Sequence, residues 1–205
     1  VGDLINMEAS FIFKEFFERT LGSKKYDSRS NKNFVDSSSR ENYLFNSKIN
    51  GVEESDLILL IGANPRFEAT MLNVRIRKAY LNNNTKIISL NEIGDLTYPY
   101  VSLDGKTQTL RDIIENKNDI SNEIIKSKKP IIIFGESFLN LKSAEYLFFA
   151  LKDFLLKNDK FKENWNPLNL LSSNAATVGS LDLDIVDETN SLFEELNNNK
   201  FKLIY

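Results

Sequence analysis

The sequence predicts an α/β fold, a mainly parallel sheet with helices on both faces. Two observations carry that prediction. Leu57–Ile58–Leu59–Leu60–Ile61 and Ile131–Ile132–Ile133–Phe134 are apolar without alternation, which marks strands buried on both sides. Each run ends at a glycine, Gly62 or Gly135, and a segment of helical spacing follows. Strand–turn–helix units repeated in this way build a Rossmann-like sheet.

The totals bound the chemistry. A chain of 205 residues can bury one sizeable core, and 27% charged with 41% hydrophobic residues is globular composition. The formal net charge of −3 gives no basic footprint for nucleic acid. The longest apolar runs are strand-sized, so no direct membrane span is expected. Val1 starts mid-pattern, and no secretory signal can be read. The chain has no cysteine, hence no disulfide, thiolate nucleophile or thiolate ligand set for an iron–sulfur cluster. It has no histidine either, which removes the commonest general base and transition-metal ligand.

In chain order, Met7 to Leu21 reads as an amphipathic helix whose Met7, Phe11, Ile12, Phe16 and Phe17 face a core, with Gly22 as its stop. Residues 23–50 form a polar loop too long for an ordinary connection, suited to a surface wrap or a partner contact. Strand–helix units fill residues 53–156. After Gly62, Asn64–Pro65 closes the turn, and Met71, Val74, Ile76 and Ala79 mark the inner face of the returning helix. Lys86 to Leu90 is a short strand, and Thr107 to Asn116 a helix capped by Thr107. Ser121 to Lys126 is a short helix, and Leu139 to Leu156 a long one with Ala144, Leu147, Phe148, Leu151, Phe154 and Leu155 on its apolar stripe. The segment 157–205 ends with a helix over Glu188 to Leu196 and the start of a strand at Phe201 to Tyr205.

Several segments carry a resemblance. They are Gly51–Val52–Glu53–Glu54–Ser55–Asp56, Leu59–Leu60–Ile61–Gly62–Ala63–Asn64–Pro65–Arg66–Phe67–Glu68–Ala69 and Asn73–Val74–Arg75–Ile76–Arg77–Lys78. Arg40–Glu41–Asn42–Tyr43 with Asn46, Asp95–Leu96–Thr97–Tyr98, Trp165–Asn166 with Asn169, and Val178–Gly179–Ser180–Leu181–Asp182–Leu183 extend it over nearly the whole chain. These runs resemble the large iron–sulfur subunit of respiratory complex I (NADH:ubiquinone oxidoreductase), in its molybdopterin-oxidoreductase-like part. The resemblance implies that residues 1–205 are part of one such α/β domain, a partial chain without the subunit's cluster-binding N-terminal portion.

Candidate site residues lie mainly at the first strand's end. By the resemblance, Gly62, Asn64, Arg66 and Glu68 match the turn that faces the nucleotide end of a pterin dinucleotide. The Gly62 and Ala63 N–H groups and Arg66 would meet phosphate, and a carboxylate would meet guanine or ribose. A single glycine is few for such a turn, so these residues are expected to be a vestigial pocket with no cofactor. Arg75, Arg77 and Lys78 form a basic patch for an acidic partner subunit or a phosphate, or a solvated face. Gly135–Glu136–Ser137 is a second strand-end turn. Asp182, Asp184, Asp187 and Glu188 lack a calcium-loop spacing, so no metal site is expected. Where related enzymes place a metal-ligating residue, the 23–50 loop offers Asp27, Ser28 and Ser30. No nucleophile–base pair can be assembled, and no catalytic residue is assigned.

The implied function is a structural, non-catalytic domain of complex I, contributing to an oxidoreductase without redox groups of its own. Iron–sulfur clusters would sit in the N-terminal portion and FMN in a partner subunit. The implied partners are that cluster-binding portion and other peripheral-arm subunits. The implied place is the matrix side of the mitochondrial inner membrane, or the cytoplasmic face of a bacterial one. Alternatives are a fragment of an active, formate dehydrogenase-like molybdopterin enzyme, or a nucleotide-binding module.

Overall fold

The structure, a computed structural model, describes residues 4–29, 33–34, 36–187, 189, 191–198 and 200. Residues Leu44–Ser173 form one compact unit, and the described parts of the flanking segments form a second. In chain order the elements are α1 (Met7–Glu15), β1 (Leu57–Ile61), α2 (Pro65–Glu68), α3 (Thr70–Asn83), β2 (Lys86–Ser89) and β3 (Val101–Ser102). There follow α4 (Thr107–Ile114), α5 (Asp119–Lys126), β4 (Pro130–Phe134), α6 (Glu136–Leu139) and α7 (Ala144–Lys157). The last are β5 (Leu168–Leu170), α8 (Thr177–Asp182) and α9 (Ser191–Asn197).

The Leu44–Ser173 unit carries the predicted sheet. Among the described residues it has five strands in the order β3-β2-β1-β4-β5, and every pairing is parallel. β1 is central, in register with Lys86–Ser89 on one side and Pro130–Phe134 on the other. Its five side chains are all buried, as the unalternating run requires. Ile58 and Leu60 cluster with Ile87, Ile131 and Ile133 beneath Leu72 and Ile76 of α3. On the opposite face the Phe134 ring lies 4.7 Å from that of Phe138 in α6 and 5.2 Å from that of Phe148 in α7. Residues 44–47 run along the outer side of β5. Leu170 N–H donates to Leu44 O at 3.0 Å, and Asn46 Nδ2 to Leu168 O at 2.7 Å. Ser47 N–H donates to the side chain of the buried Asn169 at 2.8 Å.

Asp56 fixes the amino ends of the strands. Its carboxylate accepts the Ser127 hydroxyl and the Lys128 and Lys129 N–H groups, the latter two at 2.6 and 3.0 Å. Burial pushes this carboxyl up, but those hydrogen bonds outweigh it and hold it below the usual carboxylate range. A depressed carboxyl stabilises the fold above its unfolded value, about 3.9, and the contribution fades as pH falls through the folded value. Asp56→Asn is therefore expected to lower the melting temperature at pH 7 relative to the parent. The gap should close below about pH 4 in a series of thermal scans.

Several expected elements differ in detail. The long helix placed over Leu139 to Leu156 is two, α6 and α7. Asn140 turns its side-chain amide onto Glu136 O at 3.1 Å, and the Leu141 and Ala144 N–H groups close tight turns onto Phe138 and Leu141. Thr107 is the first helical residue of α4, not its cap; Lys106 occupies that position without a side-chain bond. Asn118 accepts the Ile120 N–H at 3.0 Å and starts α5 two residues before the expected Ser121. In α3, Ile76 and Ala79 face inward as expected, but Met71 and Val74 face solvent. The inner positions belong to Leu72 and to Asn73, whose amide donates to Leu96 O at 3.1 Å and accepts the Tyr98 hydroxyl at 2.7 Å. The sheet also gains β3 and β5, two and three residues long, which no pattern in the sequence marks.

In the second unit, α1 stops at Glu15 and continues as a wider turn over Phe16–Thr20, closed by Leu21 N–H onto Phe16 O. Met7, Phe11, Ile12 and Phe16 are exposed rather than core, while Ser10 is buried. Phe13 and Phe17 stack with centroids 4.5 Å apart. Arg40 forms a two-point ion pair with Asp182, at 2.9 Å to each oxygen, and the Tyr43 hydroxyl joins it at 2.8 Å. Glu188 and the strand expected over Phe201 to Tyr205 lie outside the described residues; the last described helix begins at Ser191.

Candidate functional site

Strand order reverses between β1 and β4, so their carboxyl ends bound the crevice where open α/β sheets hold ligands. Gly62 and Gly135 follow those two strands directly. Gly62 has φ +64°, a left-handed conformation that an L side chain rarely adopts. A Cβ on it would stand 2.5 Å from the main-chain nitrogen of Phe138. A Cβ on Gly135 would stand 2.2 Å from Gly62 O and 2.6 Å from Ala63 Cα. Gly135 N–H also donates to Ile61 O at 3.0 Å. The two turns thus pack directly on each other and beneath Phe138.

The other candidates have partners within the chain. Asn64 Nδ2 donates to Ile93 O at 3.1 Å, while its Oδ1 is buried with no hydrogen-bond partner among the described residues. Arg66 Nη1 binds Asp95, at 2.6 Å to Oδ2 and 2.5 Å to the main-chain carbonyl. The Thr97 N–H first, and Arg66 second, hold Asp95 low. Partial burial pushes Glu68 up, an Asn64 N–H partly offsets this, and the charge of Glu136 adds to the rise. Glu136 accepts the Ser173 hydroxyl at 2.7 Å. The Arg66–Asp95 pair is exposed, so Arg66→Ala is expected to move the melting temperature by no more than about 2 °C in a thermal melt.

Elsewhere the structure separates residues that the sequence places in series. Asp182 serves Arg40 and Tyr43, Asp187 accepts the Leu192 N–H, and Asp184 is exposed. Among the described residues no three His, Cys, Asp or Glu side chains gather to hold a metal ion. Asp27 pairs with Arg29 at 2.8 Å, Ser28 N–H donates to Ile185 O, and Ser30 lies outside the described residues. In the basic patch, Arg75 and Lys78 share Glu53, and Arg77 is exposed. Sequence reasoning missed Phe138, whose position over Gly62 leaves no trace in local spacing, and the Asp56 clamp.

The profile of the molybdopterin oxidoreductase family matches residues 1–205. The chain belongs to that family. Among similar proteins, the NADH-ubiquinone oxidoreductase 75 kDa subunit of Reclinomonas americana is 35% identical over 98% of this chain and 31% of its own length. The mitochondrial NADH dehydrogenase (ubiquinone) iron–sulfur protein 1 of Solanum tuberosum is 31% identical over 94% of this chain and 26% of its own. An NADH-quinone oxidoreductase subunit from the bacterium Rickettsia bellii is 30% identical over 89% and 27%. The chain thus spans between a quarter and a third of the length of these curated relatives.

A molybdopterin oxidoreductase fold implies a pterin cofactor, and the turn residues of this chain do not fit one. The space that a glycine would leave for a phosphate at Gly62 holds Phe138. The guanidinium of Arg66 is engaged by Asp95. The unsatisfied atom in the turn, Asn64 Oδ1, is an acceptor, which repels a phosphate oxygen instead of binding it.

Proposed function

We propose that this chain is the molybdopterin-oxidoreductase-like scaffold of the large iron–sulfur subunit of respiratory NADH:ubiquinone oxidoreductase. The observation that carries the reading is the similarity to complex I subunits over nearly the whole chain, at 30 to 35% identity. In this reading the Gly62–Gly135 crevice is a relic in which packing has replaced ligand, and the chain has no catalytic residue. Electrons from NADH to ubiquinone pass through iron–sulfur clusters in the cluster-binding portion, fed by FMN in a partner subunit. The chain supplies packing surface to that portion and to neighbouring peripheral-arm subunits. Its place is the matrix side of the mitochondrial inner membrane, or the cytoplasmic side in a bacterium. Among the described residues no helix is long and apolar enough to cross a membrane, which suits a peripheral position.

Native-gel separation of solubilised membranes tests this, with the chain located by mass spectrometry and metals measured in the same band. Migration in a very large assembly that holds flavin and iron without molybdenum is the expected result. A small band carrying molybdenum or pterin would overturn the assignment.

A further inference from the structure

The outward face of α3 carries a feature that neither the sheet nor the crevice uses. Met71, Val74 and Leu81 are 66, 56 and 65% exposed. At 100° per residue they fall within about 80° of arc, and they span about 15 Å of helix. Single exposed apolar side chains are ordinary, but three along one stripe make a patch that water solvates poorly. Charge borders the stripe with a consistent sign. Arg75 lies on one side and Arg77 on the other, and Lys78 projects within it. The carboxylate among them is Glu53, which Arg75 and Lys78 share and hold low. The face is therefore cationic on a chain whose net charge is −3.

We propose that this face is a docking surface for an amphipathic helix, not contained in these 205 residues, whose apolar stripe is bordered by carboxylates. Three turns of such a helix match the length of the patch. Its acidic border would meet Arg77 and supply Arg75 and Lys78 with further carboxylates. A second copy of this chain fits poorly, because a two-fold contact would set Arg77 and Lys78 against the same cationic surface. An anionic membrane fits less well too, since Glu53 would face the lipid charge and the stripe lacks the bulky aromatic residues of interfacial helices. This inference is independent of the assignment to a respiratory complex.

The test uses the purified full chain, isotope-labelled for NMR, and two synthetic helical peptides. Both peptides have leucines at three- and four-residue spacing. One is bordered by glutamate, and the other by lysine at the same positions. The expected result is saturable binding of the glutamate peptide alone, with amide shifts confined to Thr70–Asn83 and its surroundings. Val74→Glu and Arg77→Glu should each weaken that binding about tenfold or more, with the circular dichroism spectrum unchanged. Tyr146→Glu, on the exposed side of α7, should leave it unaltered. Equal binding of both peptides, or of neither, would overturn the proposal. So would self-association that Val74→Glu abolishes, or capture by phosphatidylserine vesicles that Arg77→Glu abolishes.

Discussion

Gly62→Ala is expected to destabilise the Leu44–Ser173 unit by about 3 kcal/mol, from left-handed backbone strain together with overpacking. The added methyl would meet the main-chain nitrogen of Phe138 at 2.5 Å, and backbone cannot swing aside as a flexible side chain can. The midpoint in urea should fall with the slope of the transition unchanged. Gly135→Ala separates the two contributions. Gly135 has φ −106°, so that variant suffers overlap with Gly62 O and Ala63 but no left-handed strain. Its overlap is the tighter of the two, 2.2 Å against 2.5 Å, so its expected loss is just as large, about 3 kcal/mol, from overpacking alone. A Gly62→Ala midpoint unchanged within error would mean that Phe138 yields its place, and that this glycine serves something other than packing.

Phe148→Ala is expected to cost about 3–5 kcal/mol, the range for removing a buried aromatic ring from a core. Phe148 is 2% exposed and joins α7 to β4 through its ring contact with Phe134. Phe134 also meets Phe138, so a cavity here loosens the support beneath the Gly62 turn. The measured consequence should be a fall in melting temperature of about 10 °C or more. NMR shifts should be largest in α6 and β4. Phe148→Leu, which keeps much of the volume, should recover more than half of the loss. An alanine variant within about 1 kcal/mol of the parent would show that α7 collapses onto the sheet and that the ring is dispensable.

These expectations rest on features of unequal visibility in the sequence. β1 and β4 were legible because a strand covered on both faces has no polar residue to interrupt it. The edges β3 and β5 were not, since two or three residues carry no periodicity, and Asn169 sits buried between Leu168 and Leu170. Helix phase failed where a polar residue took an inner position. Asn73 is satisfied by Leu96 and Tyr98, and Ser10 by Asn6 O, and neither arrangement is written in local spacing. The location of the crevice could be read, because glycine after a buried strand marks the turn. The roles of its residues could not. Phe138, Asp95 and Ile93 decide them, and these arrive from other elements of the fold.

The margins of the sheet have a consequence for how molecules of this protein meet one another. An open strand edge is a template on which a second chain can add a strand, the first step toward exchange of segments or fibres. At β5 that template is occupied, because residues 44–47 already take its outward hydrogen bonds. At the other margin β3 presents a ladder of two residues, too short to hold a foreign strand. Among the described residues, both margins of this apolar parallel sheet are thus guarded against strand addition by another copy of the chain.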